Sequence, residues 1–367
     1  MAAILAFAAG VTLATAAGTA LPALADTSTA AAPGATAQVP RGLLPLATSW
    51  ITAQRGIVLA YPSRTTGAKP YLLETGNGGK TWKSLTAPSL TYPSDNDQPD
   101  AVWSCDVIAV TDGTHIEATT DSGQRWTAEK LAGLSGSFSV NQVALANGRL
   151  FALVSTPNST MVYSGTATSG VLHPVRGLSI NGAGAYGGIS TVGGLQVDLG
   201  EDYATEKYWY SRNDTSFTSA ALPCPATERA YLGGARSGKV SALCSDGESS
   251  IGPGETAVQL RIAGRLGGAF NASGPAVDVP SVEGFAAASP RTVTVATTFD
   301  LEVSANAGKT WTAKLPQNNG AFWSDLEFPS ATTGFVVCST VNNALHEVGA
   351  VYRTTNSGKS WSALSLP

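Results

Sequence analysis

Residues 354–361 read TTNSGKSW, that is, Ser/Thr, any residue, Asp/Asn, any residue, Gly, any two residues and Trp. The same eight-residue pattern occurs as TGNGGKTW at 75–82, as TTDSGQRW at 119–126 and as SANAGKTW at 304–311. Four copies of so demanding a pattern in a chain of 367 residues indicate an internal structural repeat.

The residue types of this pattern are those of a tight hairpin turn. The Ser/Thr and Asp/Asn side chains accept hydrogen bonds from backbone N–H groups inside the turn, and the Gly takes the positive φ that closes it. The Trp begins the next strand and packs its ring over the turn. The four copies assign these structural roles to Thr75, Asn77, Gly79, Trp82, Thr119, Asp121, Gly123, Trp126, Ser304, Asn306, Gly308, Trp311, Thr354, Asn356, Gly358 and Trp361.

The long gap between the second and third copies has room for three more units at a period of about 45 residues. Degenerate turns occur there at 166–173, 211–217 and 263–270, the first with His173 in place of the Trp. Seven units are therefore predicted, each with four short apolar or alternating strands and the turn between the third and fourth. In the first unit these strands are expected at 49–53, 56–61, 70–75 and 81–85, and in the last at 322–328, 334–339, 350–355 and 360–366.

Seven units of four strands predict an all-β fold, a single seven-bladed β-propeller of four-stranded antiparallel blades spanning residues 39–367. Residues 39–47 are a candidate closing strand. No stretch shows a sustained 3.6-residue apolar period with caps, so helix is expected to be nearly absent. The composition agrees, because 40 Gly and 13% charged residues are typical of an all-β chain with many turns.

The four clear turns resemble Asp-box (BNR) repeats, which occur in sialidases, sortilin-type receptors, xyloglucanase-type glycoside hydrolases and photosystem assembly factors. The resemblance covers most of the chain at the level of the repeat. It implies the propeller fold and leaves the function open among these classes. Three of the four clear copies have Asn where the family most often has Asp, and Asn keeps the acceptor oxygen that the turn requires.

The N-terminal segment has the features of a secretory signal peptide. Residues 3–25 are uncharged and rich in Ala, Leu and Val, and Ala23-Leu24-Ala25 before Asp26 is a small-x-small cleavage pattern. We predict a signal peptide at 1–25 and a flexible low-complexity leader at 26–38. A membrane span is the alternative, disfavoured by Pro22 and the many Ala, Gly and Thr. The protein is therefore expected to be secreted or associated with the cell envelope.

The four cysteines suit disulfide bonding in a secreted chain. Cys224 and Cys244 are the candidate pair, being about half a repeat apart, whereas Cys105 and Cys338 are candidates for buried free thiols. No Cys-x-x-Cys occurs and the three histidines fall in different units, so no metal site and no cofactor are predicted.

Motifs for nucleotides and nucleic acids fail on context. The Gly-Lys-Thr/Ser of three turns lacks the earlier Gly of a P-loop and is followed by Trp, and GAGAYG at 182–187 leads into a strand-like run, not a helix. A net charge of −4 argues against non-specific nucleic-acid binding.

Three groups of residues suggest catalysis or metal binding. Asp198, Glu201, Asp202 and Glu206 could supply paired carboxylates for glycoside hydrolysis, which needs them roughly 5–10 Å apart. Alternation predicts Glu206, Tyr208 and Tyr210 on one strand face, as a sialidase-like Tyr/Glu group would require. An aromatic strand whose Tyr face packs between blades is the favoured interpretation. The Arg-Ile-Pro motif of sialidases is absent, and Arg41 departs from it. The closely spaced side-chain oxygens of Asp95, Asn96, Asp97 and Asp100 could bind Ca²⁺. The Gly and the distal Glu of an EF-hand loop are missing, so a solvated acidic loop is the favoured interpretation.

We predict a secreted, non-catalytic propeller that binds a carbohydrate or protein ligand through its non-repeating loops at 86–102, 198–207 and 317–325. A glycoside hydrolase, sialidase-like or otherwise exo-acting, is the alternative, and a factor that grips another protein is a third class. A hydrolase predicts two carboxylates facing each other in one deep cleft with a raised pKa. The candidate ligand-binding residues are Tyr92, Asp97, Trp103, Asp198, Glu201 and Trp323, and the catalytic candidates are Asp202, Glu206 and Tyr208.

Overall fold

The computed structural model describes residues 40–93, 99–201, 204–234, 238–246, 255–316, 322–341 and 347–367. Residues 38–367 form one compact unit. The predicted signal peptide and leader lie outside the described residues. Throughout the described ranges the regular secondary structure is strand, as expected, and no helix there is long and apolar enough to cross a membrane.

The described strands follow the predicted units in chain order. The first group is β1 (Leu44–Trp50), β2 (Gly56–Tyr61), β3 (Tyr71–Thr75), β4 (Lys83–Leu85), β5 (Asp100–Ser104), β6 (Val107–Thr111), β7 (Ile116–Thr119), β8 (Thr127–Leu131), β9 (Ser139–Ala146), β10 (Arg149–Thr156), β11 (Ser159–Thr166) and β12 (Val171–Asn181). The middle group is β13 (Tyr186–Ser190), β14 (Leu195–Glu201), β15 (Ala204–Ser211), β16 (Thr218–Ser219), β17 (Arg229–Gly234), β18 (Val240–Ser245), β19 (Glu255–Ala263), β20 (Phe270–Ala272) and β21 (Val277–Pro280). The last group is β22 (Val282–Ala287), β23 (Val293–Thr297), β24 (Leu301–Ser304), β25 (Thr312–Lys314), β26 (Phe322–Glu327), β27 (Gly334–Val341), β28 (Glu347–Thr354) and β29 (Ser362–Ala363).

These strands form antiparallel meanders of four. Four sheets are simple meanders, β1-β2-β3-β4, β13-β14-β15-β16, β22-β23-β24-β25 and β26-β27-β28-β29. A fifth sheet, β17-β18-β19-β20, carries β21 as an extra partner of β19. The sixth has eight strands in the order β5-β6-β7-β8-β12-β11-β10-β9, which is two meanders joined through their fourth strands.

The predicted turn chemistry is present in the hairpin between β28 and β29. The buried Thr354 hydroxyl donates to Asn356 Oδ1 at 3.0 Å and accepts the Gly358 N–H at 3.0 Å. Asn356 Oδ1 also accepts the Ser360 N–H at 2.9 Å. The three other clear copies repeat this set of hydrogen bonds.

The backbone of each turn is tighter than the sequence predicts. The prediction gives positive φ to the Gly alone, but the residue before it is also left-handed, so that Ser357 at φ 62° precedes Gly358 at φ 86°. Two consecutive left-handed residues are the geometry of a type I′ hairpin turn, whose twist matches that of the flanking strands. The preceding residues of the four copies are Gly78, Ser122, Ala307 and Ser357.

In two copies the Trp of the turn also contacts a neighbouring sheet. The Trp126 indole N–H donates to the carbonyl of Thr86, just beyond β4, at 3.0 Å. The Trp82 indole donates in the same way to the carbonyl of Ser365, near the C-terminus, at 3.0 Å. The Trp311 indole instead bonds its own turn at Gly308. The ring of Trp therefore ties neighbouring sheets together in some copies and closes its own turn in another.

The degenerate turn between β11 and β12 has a different register. In the clear copy, Thr127, one residue after the Trp, pairs with Ala118. In the degenerate copy His173 already pairs with Ser164, so the hairpin is two residues tighter and His173 does not stand in the Trp position, contrary to the sequence-based interpretation. The early start of β12 lets Val171 and Leu172 pair in parallel with β8, which joins the two meanders into one sheet.

The first strands of the meanders lie side by side and are linked by polar side chains, which we call the inner-strand bridges. The Ser49 hydroxyl of β1 accepts the Trp103 N–H of β5 at 3.0 Å. The Asp100 carboxylate of β5 accepts the Val143 N–H of β9 at 2.8 Å. The Gln142 side chain of β9 both donates to and accepts from the backbone of Ile189 in β13. These bonds satisfy backbone groups that no sheet ladder could reach.

A further bridge joins the beginning of the described chain to its end. The Asp325 carboxylate of β26 accepts the Thr48 N–H of β1 at 2.7 Å. Trp50 stacks on Phe335 of β27 with ring centroids 3.4 Å apart. β1 spans Leu44–Trp50 and is the first strand of its own meander, so the strand expected at 49–53 begins and ends earlier, and no separate closing strand exists at 39–47 within the described residues.

Replacing Gly358 with Val should lower the free energy of unfolding by about 1–3 kcal/mol, because a β-branched residue is strained at positive φ. A Cβ there would also lie 3.0 Å from Thr294 Oγ1 of the neighbouring sheet. Chemical denaturation measures the change. Gly76→Ala is the matched control, since a Cβ at Gly76 meets nothing within 4 Å and its φ is not in the left-handed region. Equal denaturation midpoints for Gly358→Val and the parent would contradict this account of the turn.

Candidate functional site

The first strands of the meanders surround a cavity of about 510 Å³, here called the axial cavity. Its wall is formed mainly by β1, β5, β9, β13, β17, β22 and β26. A second cavity of about 420 Å³ shares Gln142, Ile189 and Phe285 with it and is lined by the later residues of the same strands. Trp50, Trp103 and Phe328 make this second cavity aromatic, whereas the axial cavity is rich in charged and tyrosine side chains.

One side of the axial cavity carries three acidic side chains, Asp100, Asp325 and Glu327. Enclosure by protein raises the pKa of Asp100 to about 6, against the lowering effect of hydrogen bonds from the Val143 and Ala101 N–H groups. Burial, and then the charge of Asp100, raises the pKa of Asp325 well above its usual range. Burial and the charge of Asp325 do the same to the pKa of Glu327. These acids therefore hold protons more tightly than exposed carboxyl groups do.

The opposite electrostatic feature of the axial cavity is Arg229, at the start of β17. Its guanidinium lies over two aromatic rings, 4.5 Å from the centroid of Tyr186 and 4.8 Å from that of Tyr231. Arg229 is half-buried, and among the described residues its guanidinium has no hydrogen-bond partner. Contact with two aromatic rings holds the cation in place without using its N–H donors.

Asp198 lies behind β13 and reaches the axial cavity because Gly188 has no side chain. A Cβ on Gly188 would lie 2.8 Å from Asp198 Oδ1. Asp198 is 1% exposed and its Oδ1 has no hydrogen-bond partner within the described part of the chain. Burial raises the pKa of Asp198 to about 7, and the positive charge of Arg229 opposes the rise. Asp198 thus differs from Asp100 and Asp325, whose carboxylates are used as inner-strand bridges.

Glu206 and Tyr208, the two catalytic candidates that the structure describes, do not form a common site. The β14–β15 ladder shifts between the pairs Leu199–Lys207 and Gly200–Thr205, so Glu206 falls in a bulge and is exposed. Tyr208 is buried and its hydroxyl donates to Gln196 at 2.8 Å. The alternation that predicts Glu206 and Tyr208 on one face is therefore wrong, because the bulge resets the period. Asp202 lies outside the described residues.

The candidate ligand-binding residues are dispersed. Trp103 is 6% exposed, carries the Arg55 guanidinium 4.7 Å above its ring and faces the second cavity. Tyr92 and Trp323 are buried and line a small cavity of about 60 Å³. Glu201 is half-buried at the end of β14, beside Gly182. Asp198 is the one of this set that lines the axial cavity, and Asp97 falls outside the residues that the structure describes.

Sequence analysis did not single out Tyr186, Arg229, Asp325 or Glu327. It assigned Asp100 to an acidic loop at 95–100, whereas Asp100 lies in β5 and lines the axial cavity. A signal for them was present, since each stands in the first strand of its unit. Those strands are the ones that face the axis of a propeller, where a charged side chain has no bulk solvent. A charged residue in the first strand of a unit therefore indicates a candidate site as well as a charged residue in a long loop does.

None of the four cysteines is among the residues that line the axial cavity. Cys224 and Cys244 form a disulfide with Cα atoms 5.4 Å apart. Burial raises the pKa of the Cys338 thiol to about 12, whereas Cys105 is exposed, which corrects the expectation that both are buried. Over the described ranges no group of three or more His, Cys, Asp or Glu side chains is arranged to hold a metal ion.

The raised pKa values predict that the protein is more stable in mild acid than at neutral pH. An unfolded carboxyl ionises near pH 4, while Asp100 and Asp198 in the fold stay protonated to about 6 and about 7. Between these values the unfolded chain has lost protons that the folded chain retains, so stability falls as pH rises. The midpoint temperature of thermal unfolding should therefore be lower at a pH of about 7.5 than at a pH of about 4.5.

The variant Asp198→Asn should show a smaller drop across that pH range, because its amide does not ionise. Asp278→Asn is the control, since Asp278 is exposed and outside the cavity. A pH dependence in Asp198→Asn as steep as in the parent would rule out a buried ionisable Asp198.

A scan against protein-family models and a search of curated protein sequences returned no match. Among solved structures, "YCF48 bound to D1 peptide" is 18% identical over 82% of this chain and 90% of that chain, with a TM-score of 0.51. A polysaccharide lyase, PL25 ulvan lyase bound to -[GlcA(1-4)Rha3S]-, is 11% identical over 89% and 96%, with a TM-score of 0.53. The "Dos1 propeller" is 11% identical over 85% and 81%, with a TM-score of 0.50. At these identities the likeness concerns the β-propeller fold alone.

Proposed function

We propose that this protein is a non-catalytic β-propeller that binds an acidic group of a protein or carbohydrate ligand at Arg229 in the axial cavity. The observation that carries the proposal is that the Arg229 guanidinium contacts the rings of Tyr186 and Tyr231. It makes no hydrogen bond to the part of the chain that the structure describes. A pre-oriented planar cation is suited to a carboxylate, which accepts two parallel hydrogen bonds from it. The fold is compatible, since one solved neighbour is described as bound to a peptide and another to a uronic-acid-containing saccharide.

The absence of catalysis in this proposal rests on how the acids are used. Asp100 and Asp325 accept backbone N–H groups from adjacent inner strands. A carboxylate that holds the walls of the cavity together is poorly placed to exchange protons with a substrate in every turnover. The acidic side of the axial cavity is therefore proposed to be structural, and the side with Arg229 to be the binding side.

We infer seven blades, the finer form of the fold prediction. The eight-stranded sheet contains two four-stranded meanders held together by the short parallel pairing of β8 with β12. Counting them separately gives each meander one turn between its third and fourth strands. The axial cavity supports this count because the two meanders contribute β5 and β9 separately to its wall.

An extracytoplasmic location is part of the proposal. It is supported by the predicted signal peptide at 1–25 and by the Cys224–Cys244 disulfide, since disulfides persist mainly in oxidising compartments.

A glycoside hydrolase or lyase is the second candidate, and Asp198 is the observation that favours it. Its unpartnered Oδ1 faces the space left by Gly188, and its pKa of about 7 suits a general acid or base at neutral pH. Such chemistry needs a second carboxyl group. Glu327 is a candidate because it lines the same cavity and its Oε1 has no hydrogen-bond partner among the described residues.

The binding proposal is tested by calorimetry with two matched pairs of probes. Digalacturonate is compared with cellobiose, and a short peptide ending in a free carboxylate with the same peptide amidated. The acidic member of at least one pair should bind, and Arg229→Gln should weaken it by about 1.5–3 kcal/mol, the usual worth of a charged hydrogen bond. Arg212→Gln is the control, because Arg212 lies over Tyr210 away from the cavity.

Equal binding by Arg229→Gln and the parent would reject the binding proposal. Turnover of uronic-acid oligosaccharides that disappears in Asp198→Asn would instead support the second candidate. Activity assays on both variants are therefore run beside the calorimetry.

A further inference from the structure

A pocket of about 590 Å³, here called the rim pocket, lies beside the tightened hairpin of β11 and β12. It stands apart from the axial cavity and shares no lining residue with it. Arg149 and Arg176 line it together with His173, and no Asp or Glu lines it. In a chain of net charge −4, a pocket with two arginines and no lining carboxylate stands out.

The strand register puts the polar groups of the rim pocket side by side. Arg149 of β10 pairs with Thr166 of β11, and Ser164 of β11 pairs with His173 of β12. Residues two apart in a strand share a face, so Arg149, Ser164, Thr166 and His173 stand on the same side of the sheet. The Arg149 guanidinium donates to the Ser164 hydroxyl at 3.0 Å, which fixes its position.

Arg149 also has an unused donor inside the protein. Its Nε is buried and has no hydrogen-bond partner in the described part of the chain. Leaving a buried donor unpaired costs about 1–3 kcal/mol, and more when the group is charged. Neither Arg149 nor Arg176 forms a salt bridge with a described carboxylate. The nearby Asp214 accepts a hydrogen bond from Asn147 instead.

Arg176 reaches the rim pocket from an interruption of β12. The ladder with β11 passes from Pro174 to Ser179, and within this interruption Gly177 adopts φ 81° and Leu178 is buried. Arg176 is exposed at this bulge and lines the rim pocket.

We propose that the rim pocket binds a sulfate or phosphate group. The forked guanidinium of Arg149 would donate to two oxygens of the tetrahedral anion, as arginine commonly does with such groups. Arg176 and His173 would contact further oxygens from the solvent side, and the hydroxyls of Ser164 and Thr166 would complete the shell. The site is independent of the ligand proposed for the axial cavity.

The test is a titration of the full-length protein with anionic probes. Calorimetry and changes in NMR chemical shift measure the binding. The probes are sodium sulfate and sodium phosphate, each compared with sodium chloride at equal ionic strength, and a sulfated disaccharide compared with its unsulfated form. Saturable binding of a sulfate or phosphate probe is expected. Arg176→Gln should weaken it about tenfold, while Arg291→Gln, which removes an exposed arginine elsewhere, should leave it unchanged.

Arg149→Lys serves as a second variant that keeps the charge but loses the fork, and it should also weaken binding about tenfold with an unchanged thermal midpoint. Tighter binding of the sulfated disaccharide than of inorganic sulfate would identify a sulfated sugar as the source of the group, and equal affinity would identify the free anion. A response to sulfate and phosphate no larger than that to chloride, or full affinity in both variants, would overturn the proposal.

Discussion

The buried hydroxyl at the start of each Asp-box turn is the interaction on which the architecture depends. Thr75, Thr119, Ser304 and Thr354 are nearly inaccessible to solvent, yet each hydroxyl both donates to the Asn or Asp and accepts the Gly N–H. The hairpin can therefore be buried against a neighbouring sheet without leaving polar groups unpaired. A meander alone would expose both faces, and it is this buried turn that allows meanders to stack.

Stacking creates a second constraint at the centre, where first strands meet without a shared ladder. The protein meets it with side chains that bond the backbone of the next strand, including carboxylates of Asp100 and Asp325. Enclosing these acids raises their pKa values, so closure of the ring and the proton affinity of the axial cavity have the same physical origin. The join between the first and last sheets depends on one of them.

The degenerate repeats are where the surface becomes distinctive. In the intact turns the polar side chains form hydrogen bonds within the hairpin. In the tightened β11–β12 turn the corresponding residues are available for other contacts. Its shorter register joins two meanders through β8 and β12 and leaves the rim pocket beside Arg149. Arg229 and Asp198 also belong to the stretch between the second and third clear turns. The candidate binding residues of the rim pocket, and Arg229 and Asp198 of the axial cavity, therefore lie where the sequence departs from the repeat.

The sequence by itself determined the all-β class, the position of each hairpin and the hydrogen bonds of the turn. These are local features, because the residues that interact are within eight positions of one another and each has a side chain suited to one role. Strand positions in the last unit also followed from alternation and turn spacing, with ends that differ by a few residues.

The tertiary structure alone decided the composition of the axial cavity. Asp198, Arg229 and Tyr186 come from three different strands, and their meeting depends on the absence of a side chain at Gly188. A single bulge separated Glu206 from Tyr208, and a two-residue change of register moved His173 out of the Trp position. Such shifts are set by packing between sheets, and no pattern within one strand reports them.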